Sequence, residues 1–89
     1  MNPTQKIANL RNEIDKLDKH IVELLLKRFS NAKKIGKVKN MNAIDIDDLR
    51  RENDIIETLS NKSDENLKKE DISAIFKLII NISKKLQIK

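Results

Sequence analysis

The sequence has no cysteine, tryptophan or tyrosine, only one glycine, one proline and one histidine, and two aromatic residues in all. Each shortage removes a class of chemistry or architecture. Without cysteine there is no disulfide framework, no thiol nucleophile and no thiolate metal site. Without tryptophan or tyrosine there is little to stack on nucleic-acid bases. The lone His20 falls among charged residues, a solvated position rather than a catalytic one. With one glycine and one proline, and many Ile, Leu, Lys and Glu, the chain lacks breakers and is expected to be nearly all helix. No apolar run approaches the roughly 20 residues of a membrane span, and no signal-like apolar core opens the sequence. The expected location is therefore the cytoplasm, with no membrane partner. Eighty-nine residues make one domain, 1–89, with a small core if it stays monomeric.

The net charge is +5. The run Lys33, Lys34, Lys37, Lys39 invites a nucleic-acid reading. Acids are interspersed throughout, however, so no nucleic-acid partner is expected and most of these lysines read as a solvated face. The choice of cation is more telling. Of nineteen basic residues four are arginine, leaving fifteen lysines. Arginine binds a carboxylate bidentately and lysine does not, so Arg11 and Arg28 stand out.

The first stretch, Thr4 to about Lys39, organises the chain. Ile7, Leu10, Ile14, Leu17, Ile21 and Leu24 alternate at spacings of three and four, the seam of a long amphipathic helix. Asn2 is placed to cap it, with Pro3 at the first helical position and Gln5 reaching back. Such a helix is about 54 Å long, whereas a compact domain of this size is only about 30 Å across. The helix must therefore outrun its own globule, and its exposed seam calls for a second copy of the chain. Continued, the seam is filled by Ile35 and Val38 but interrupted by Arg28 and Asn31. A buried arginine needs an anion, and no acid shares this seam. The bland alternative is that Arg28 reaches solvent along its alkyl stem. Lys39 lies about 20° around the axis from Arg28, so the two can clamp a small dianion. Arg11 lies about 100° off that face and suits a pocket on a partner chain. Gly36 interrupts good helix formers; close approach of a ligand or of a neighbouring helix explains it, as does mere tolerance near a fraying end.

Asn40 to Ile44 reads as a loop, after which Asp45 or Asp47 caps a second helix running to about Ser60. Leu49, Ile55, Ile56 and Leu59 form its apolar stripe. Asp48 and Glu52 fall along the same side, although a first-turn acid also suits the helix dipole. They lack the third ligand a metal would need. Asn61 to Leu67 is a second loop. A third helix is expected from about Lys69 to Gln87, with Ile72, Ile75, Phe76, Ile79, Ile80, Ile82 and Leu86 inward. Ser83 and Gln87 continue its stripe as polar groups. Every helix thus carries polar residues where core is expected: Arg28 and Lys39, Asp48 and Glu52, Ser83 and Gln87. One polar pocket inside a helical bundle accounts for all three, and it suits a ligand with two carboxylates and a hydroxyl.

In the order Leu10-Arg11, Asp15-x-x-Asp18, Arg28, Gly36-Lys37-x-Lys39, Asp48-x-x-x-Glu52 and Ser83-x-x-x-Gln87, the chain resembles the all-helical, type II chorismate mutases. The resemblance spans nearly the whole length; only the loop before the third helix is slightly short for it. It implies an all-α, three-helix chain with a long first helix, intertwined as a homodimer. It implies that Arg28 and Arg11 of the partner subunit hold the two carboxylates of chorismate, with Ser83 assisting. Lys39 and Gln87 would hydrogen-bond the ether oxygen whose bond breaks. Glu52, with the backbone near Asp48, would hold the ring hydroxyl. The reaction, a Claisen rearrangement of chorismate to prephenate in phenylalanine and tyrosine biosynthesis, needs no metal or cofactor. Two other readings fit the same residues: isochorismate–pyruvate lyase on a similar scaffold, and a non-enzymatic helical dimerisation or nucleic-acid-binding module.

Overall fold

The computed structural model describes residues 2–88. Three α-helices follow one another: α1 (Pro3–Met41), α2 (Leu49–Ser60) and α3 (Lys69–Gln87). No strand occurs among the described residues, so the all-α, three-helix expectation holds. The chain divides into two compact units between Ser30 and Asn31.

The first unit is the N-terminal part of α1. Its start is as expected: the Asn2 side-chain oxygen accepts the Gln5 backbone N–H at 2.8 Å, and Pro3 opens the helix. The Gln5 side chain does not reach back; it donates forward to Asn9, one turn on, where an i,i+4 partner is in range. The seam residues Ile7, Leu10, Ile14, Leu17, Ile21 and Leu24 are all exposed.

The second unit holds the last turns of α1 with α2 and α3. Helix α1 runs two residues beyond Lys39 and stops at a Schellman motif. The Ile44 N–H reaches back to the Lys39 carbonyl at 2.9 Å, with Ala43 in the left-handed region at φ 53°. Glycine usually fills that position. An alanine there carries no such signal, and the helix ends two residues past its expected limit. The N-cap of α2 is Asp48, not Asp45 or Asp47: its carboxylate accepts the Arg51 N–H at 3.0 Å. Asp64 folds the second loop by accepting from Asn66 and Leu67, and Asp71 takes the Lys68 N–H at the start of α3.

Helix α2 packs on α3. The core is small, with Ala32, Ile72 and Ile80 buried beside Gly36 and Ser83. Several residues assigned inward positions are exposed instead: Leu49 on α2, and Ile75, Ile82 and Leu86 on α3. The inner stripe of α3 runs Ile72, Ser73, Phe76, Ile79, Ile80, Ser83, Lys84 and Gln87. At about 100° per residue it spans about 140° of the helix, and Ile75, Ile82 and Leu86 fall beyond its edge. On α1, Ile35 and Val38 are likewise exposed. The inner face there carries Ala32, Gly36, Lys39 and Asn40, small or polar groups that let helices approach closely.

Candidate functional site

The end of α1, the start of α2 and the end of α3 meet at one end of the second unit. Gly36 makes this possible. A Cβ at Gly36 would lie 2.6 Å from the Cα of Gln87 and 2.9 Å from its Cβ, so no other residue fits without moving α3. Of the reasons weighed for this glycine, close approach of a neighbouring helix is the one observed. The Asn40 side chain then donates to the Gln87 carbonyl at 3.0 Å, satisfying one of the carbonyls left open at a helix C-terminus. Together these contacts fix Gln87 against α1.

Lys39 is half-buried, and its Nζ donates to the Ile46 carbonyl at 3.2 Å. An ammonium has three protons to donate, so this bond holds the side chain and leaves donors for a ligand. Ser83 is buried and its hydroxyl donates to the Ile79 carbonyl at 3.0 Å. Asp48 is exposed, with one carboxylate oxygen accepting the Arg51 N–H as the cap and its carbonyl accepting the Glu52 N–H. One turn on, Glu52 is half-buried and its Oε1 meets the Lys84 ammonium at 3.3 Å.

Two buried side-chain atoms in this unit have no protein partner: Oε2 of Glu52 and Oε1 of Gln87. Buried polar atoms are nearly always hydrogen-bonded, so these two stand out. A half-turn of the Gln87 terminal torsion exchanges Oε1 for the amide NH2, so the same position can present a donor. A groove of about 460 Å³ lies alongside, lined by Asp45, Ile46, Asp47, Lys84 and Ile88. None of the seven expected site residues lines it, and its acidic wall does not suit a dianion. Among the described residues no group of three His, Asp or Glu is placed to hold a metal ion.

Lys39, Asp48, Glu52, Ser83 and Gln87 all lie in the second unit. Arg11 and Arg28 belong to the first unit; Arg11 is exposed and Arg28 half-buried. Sequence reasoning missed Lys84 and Asn40. Lys84 bridges Asp47 at 2.8 Å and Glu52 at 3.3 Å. The Asp47 hydrogen bond, opposed by desolvation and helped by Glu52, raises its pKa above the ordinary 10.5, so it stays a cation. A signal existed: 72, 76, 80 and 84 recur every four residues, the row that faces inward. It was obscured by Lys85 next door in a lysine-rich chain.

Comparison with known proteins gives the family and the fold. The family described as chorismate mutase type II matches residues 10–88. A chorismate mutase of Methanocaldococcus jannaschii is 34% identical over 84 residues, covering 93% of this chain and 85% of the relative. Among solved structures, chorismate mutase from Helicobacter pylori in complex with prephenate superposes with a TM-score of 0.84 at 34% identity, over 93% of this chain and 90% of that one. A conserved hypothetical protein from Pyrococcus furiosus matches with a TM-score of 0.76 at 33% identity, over 99% and 100% of the two chains. Fold and family define a small all-helical isomerase. The chain belongs to the type II chorismate mutase family. No described helix is long and apolar enough to cross a membrane.

Proposed function

We propose that the chain converts chorismate to prephenate as a homodimer whose two sites each draw on both subunits. The two orphaned oxygens, on Glu52 and Gln87, carry this reading. They sit on the groups expected to meet the ring hydroxyl and the ether oxygen of the substrate. The rearrangement breaks the ether C–O bond and forms a C–C bond within one molecule. It requires no nucleophile and no external proton. Catalysis then consists of holding the reactive diaxial conformer and of stabilising negative charge that grows on the ether oxygen.

Lys39 and the Gln87 amide supply donors to that oxygen. Preorganisation supports the assignment: Lys39 is tied to Ile46 and Gln87 is set against Gly36 and Asn40, so neither must be ordered at the moment of reaction. Glu52 accepts from the ring hydroxyl through Oε2, with the backbone near Asp48 assisting. Arg28 and Arg11 of the partner subunit take the two carboxylates, with Ser83 beside them. The second copy is supported by the row of exposed seam residues from Ile7 to Leu24, more contiguous apolar surface than a lone helix leaves in water. The alternative lyase would act on isochorismate. Incubating the purified protein with chorismate should abolish the substrate's ultraviolet absorbance, while isochorismate should persist. The reverse outcome would assign the lyase, and no turnover of either would leave a binding module.

A further inference from the structure

Lys84 has no part in the site as assigned so far, yet its ammonium is in direct contact with Glu52, an expected ligand-binding carboxylate. Its ammonium lies 2.8 Å from Asp47 and 3.3 Å from Glu52, and its side chain is mostly buried. The two oxygens of Glu52 are thereby made unequal. Oε1 is taken by Lys84, while Oε2 is buried with no partner. A carboxylate unheld on either oxygen would rotate about its terminal torsion, and that freedom would be lost on binding. It would also oppose the approach of a doubly charged substrate.

We propose that Lys84 is a positioning residue, fixing Glu52 through Oε1 so that Oε2 is presented to a hydroxyl of the bound substrate. Through Asp47 it also ties the segment before α2 to the end of α3, so the carboxylate and the helix bearing Gln87 are held by one ammonium. The inference rests on the reading of this site as that of a chorismate mutase. The ring hydroxyl neither breaks nor forms a bond in the rearrangement, so its hydrogen bond changes little between ground and transition states. Loss of such uniform binding raises KM and spares kcat.

Lys84→Met keeps the stem and removes the charge. It should raise KM for chorismate about tenfold, the scale of one hydrogen bond to a charged group, with kcat little changed. Lys84→Arg, which restores a cation, should recover most of the loss. In a Glu52→Gln background, Lys84→Met should add almost nothing, because the two residues act as one unit. Should Lys84→Met fail to fold, Lys84→Gln is read the same way. An unchanged KM in an active enzyme overturns the inference alone. So does a loss of kcat that Lys84→Arg does not restore, or a full KM effect that persists in Glu52→Gln, since Lys84 would then act through the fold. If wild-type protein neither turns over chorismate nor binds prephenate, the reading of the site fails and the inference falls with it.

Discussion

The choice of an amide at position 87 makes a direct test of which groups touch the breaking bond. Gln87 donates a hydrogen bond at any ordinary pH, whereas a carboxyl donates only when protonated, with an unperturbed pKa of about 4.3. Burial would raise that value and Lys39 nearby would lower it. Gln87→Glu should therefore be active in acid and lose kcat as pH rises, because an ionised carboxylate repels the developing oxyanion. Wild type should show no such titration. Profiles of kcat against pH, with circular dichroism confirming both folds, check this; overlaid curves would remove Gln87 from the ether oxygen. Lys39→Ala should lower kcat by roughly 10²-fold or more, the loss typical of one preorganised donor. Near-normal turnover by a folded Lys39→Ala protein would show that its bond to Ile46 is its whole role.

At the scale of helices, what could be read in advance followed from periodicity, and what could not followed from single backbone positions. The extent of α3 and the start of α1 follow from apolar spacing, Asn2 and Pro3. The end of α1 did not, because Ala43 occupies a left-handed turn without a glycine to announce it. Replacing it relieves that conformation, so Ala43→Gly should stabilise the protein by about 1 kcal/mol, read as a rise in melting temperature. The wrong inner assignments of Leu49, Ile75, Ile82 and Leu86 have one cause. Apolar residues cover two faces of these helices, and composition does not say which face the chain itself covers. Lys39, Glu52, Ser83 and Gln87, each of which breaks an apolar pattern, are half-buried or buried, whereas Asp48, expected on the same inner faces, is exposed. Lys84 breaks such a pattern too, but within a run of lysine.

Gly36 is the element-scale counterpart of these polar positions. Alanine would gain about 1 kcal/mol of helix propensity, but its Cβ would meet the α3 backbone at 2.6 Å. Overpacking of that kind costs about 1–3 kcal/mol. Gly36→Ala should therefore lower the melting temperature and reduce kcat as Gln87 is displaced. A variant that is more stable than wild type and fully active would show that α3 can move away freely.

For the molecule as a whole, the test is complementation. Arg11 and Arg28 lie about 100° apart around one helix, so they are expected to serve different sites. Arg11→Ala and Arg28→Ala should each be nearly inactive. Unfolded together and refolded, half the dimers pair unlike chains, and each of those holds one intact site. About a quarter of wild-type activity should return, from random pairing of two-fold symmetric subunits. No recovery, with subunit exchange confirmed by mass, would place Arg11 in its own chain's pocket or outside any pocket.

The contact between Gly36 and Gln87 also bears on how such a chain tolerates change in length. The register of α3 is pinned at its last turn, by a steric stop and by the Asn40 bond, rather than by the connection that leads into it. The link at 61–68 is stitched internally by Asp64. Residues added or lost there have no lever on Gln87. Insertions and deletions should accumulate in that link across descendants of this sequence, while the four residues from Gly36 to Lys39 and the five from Ser83 to Gln87 keep their spacing.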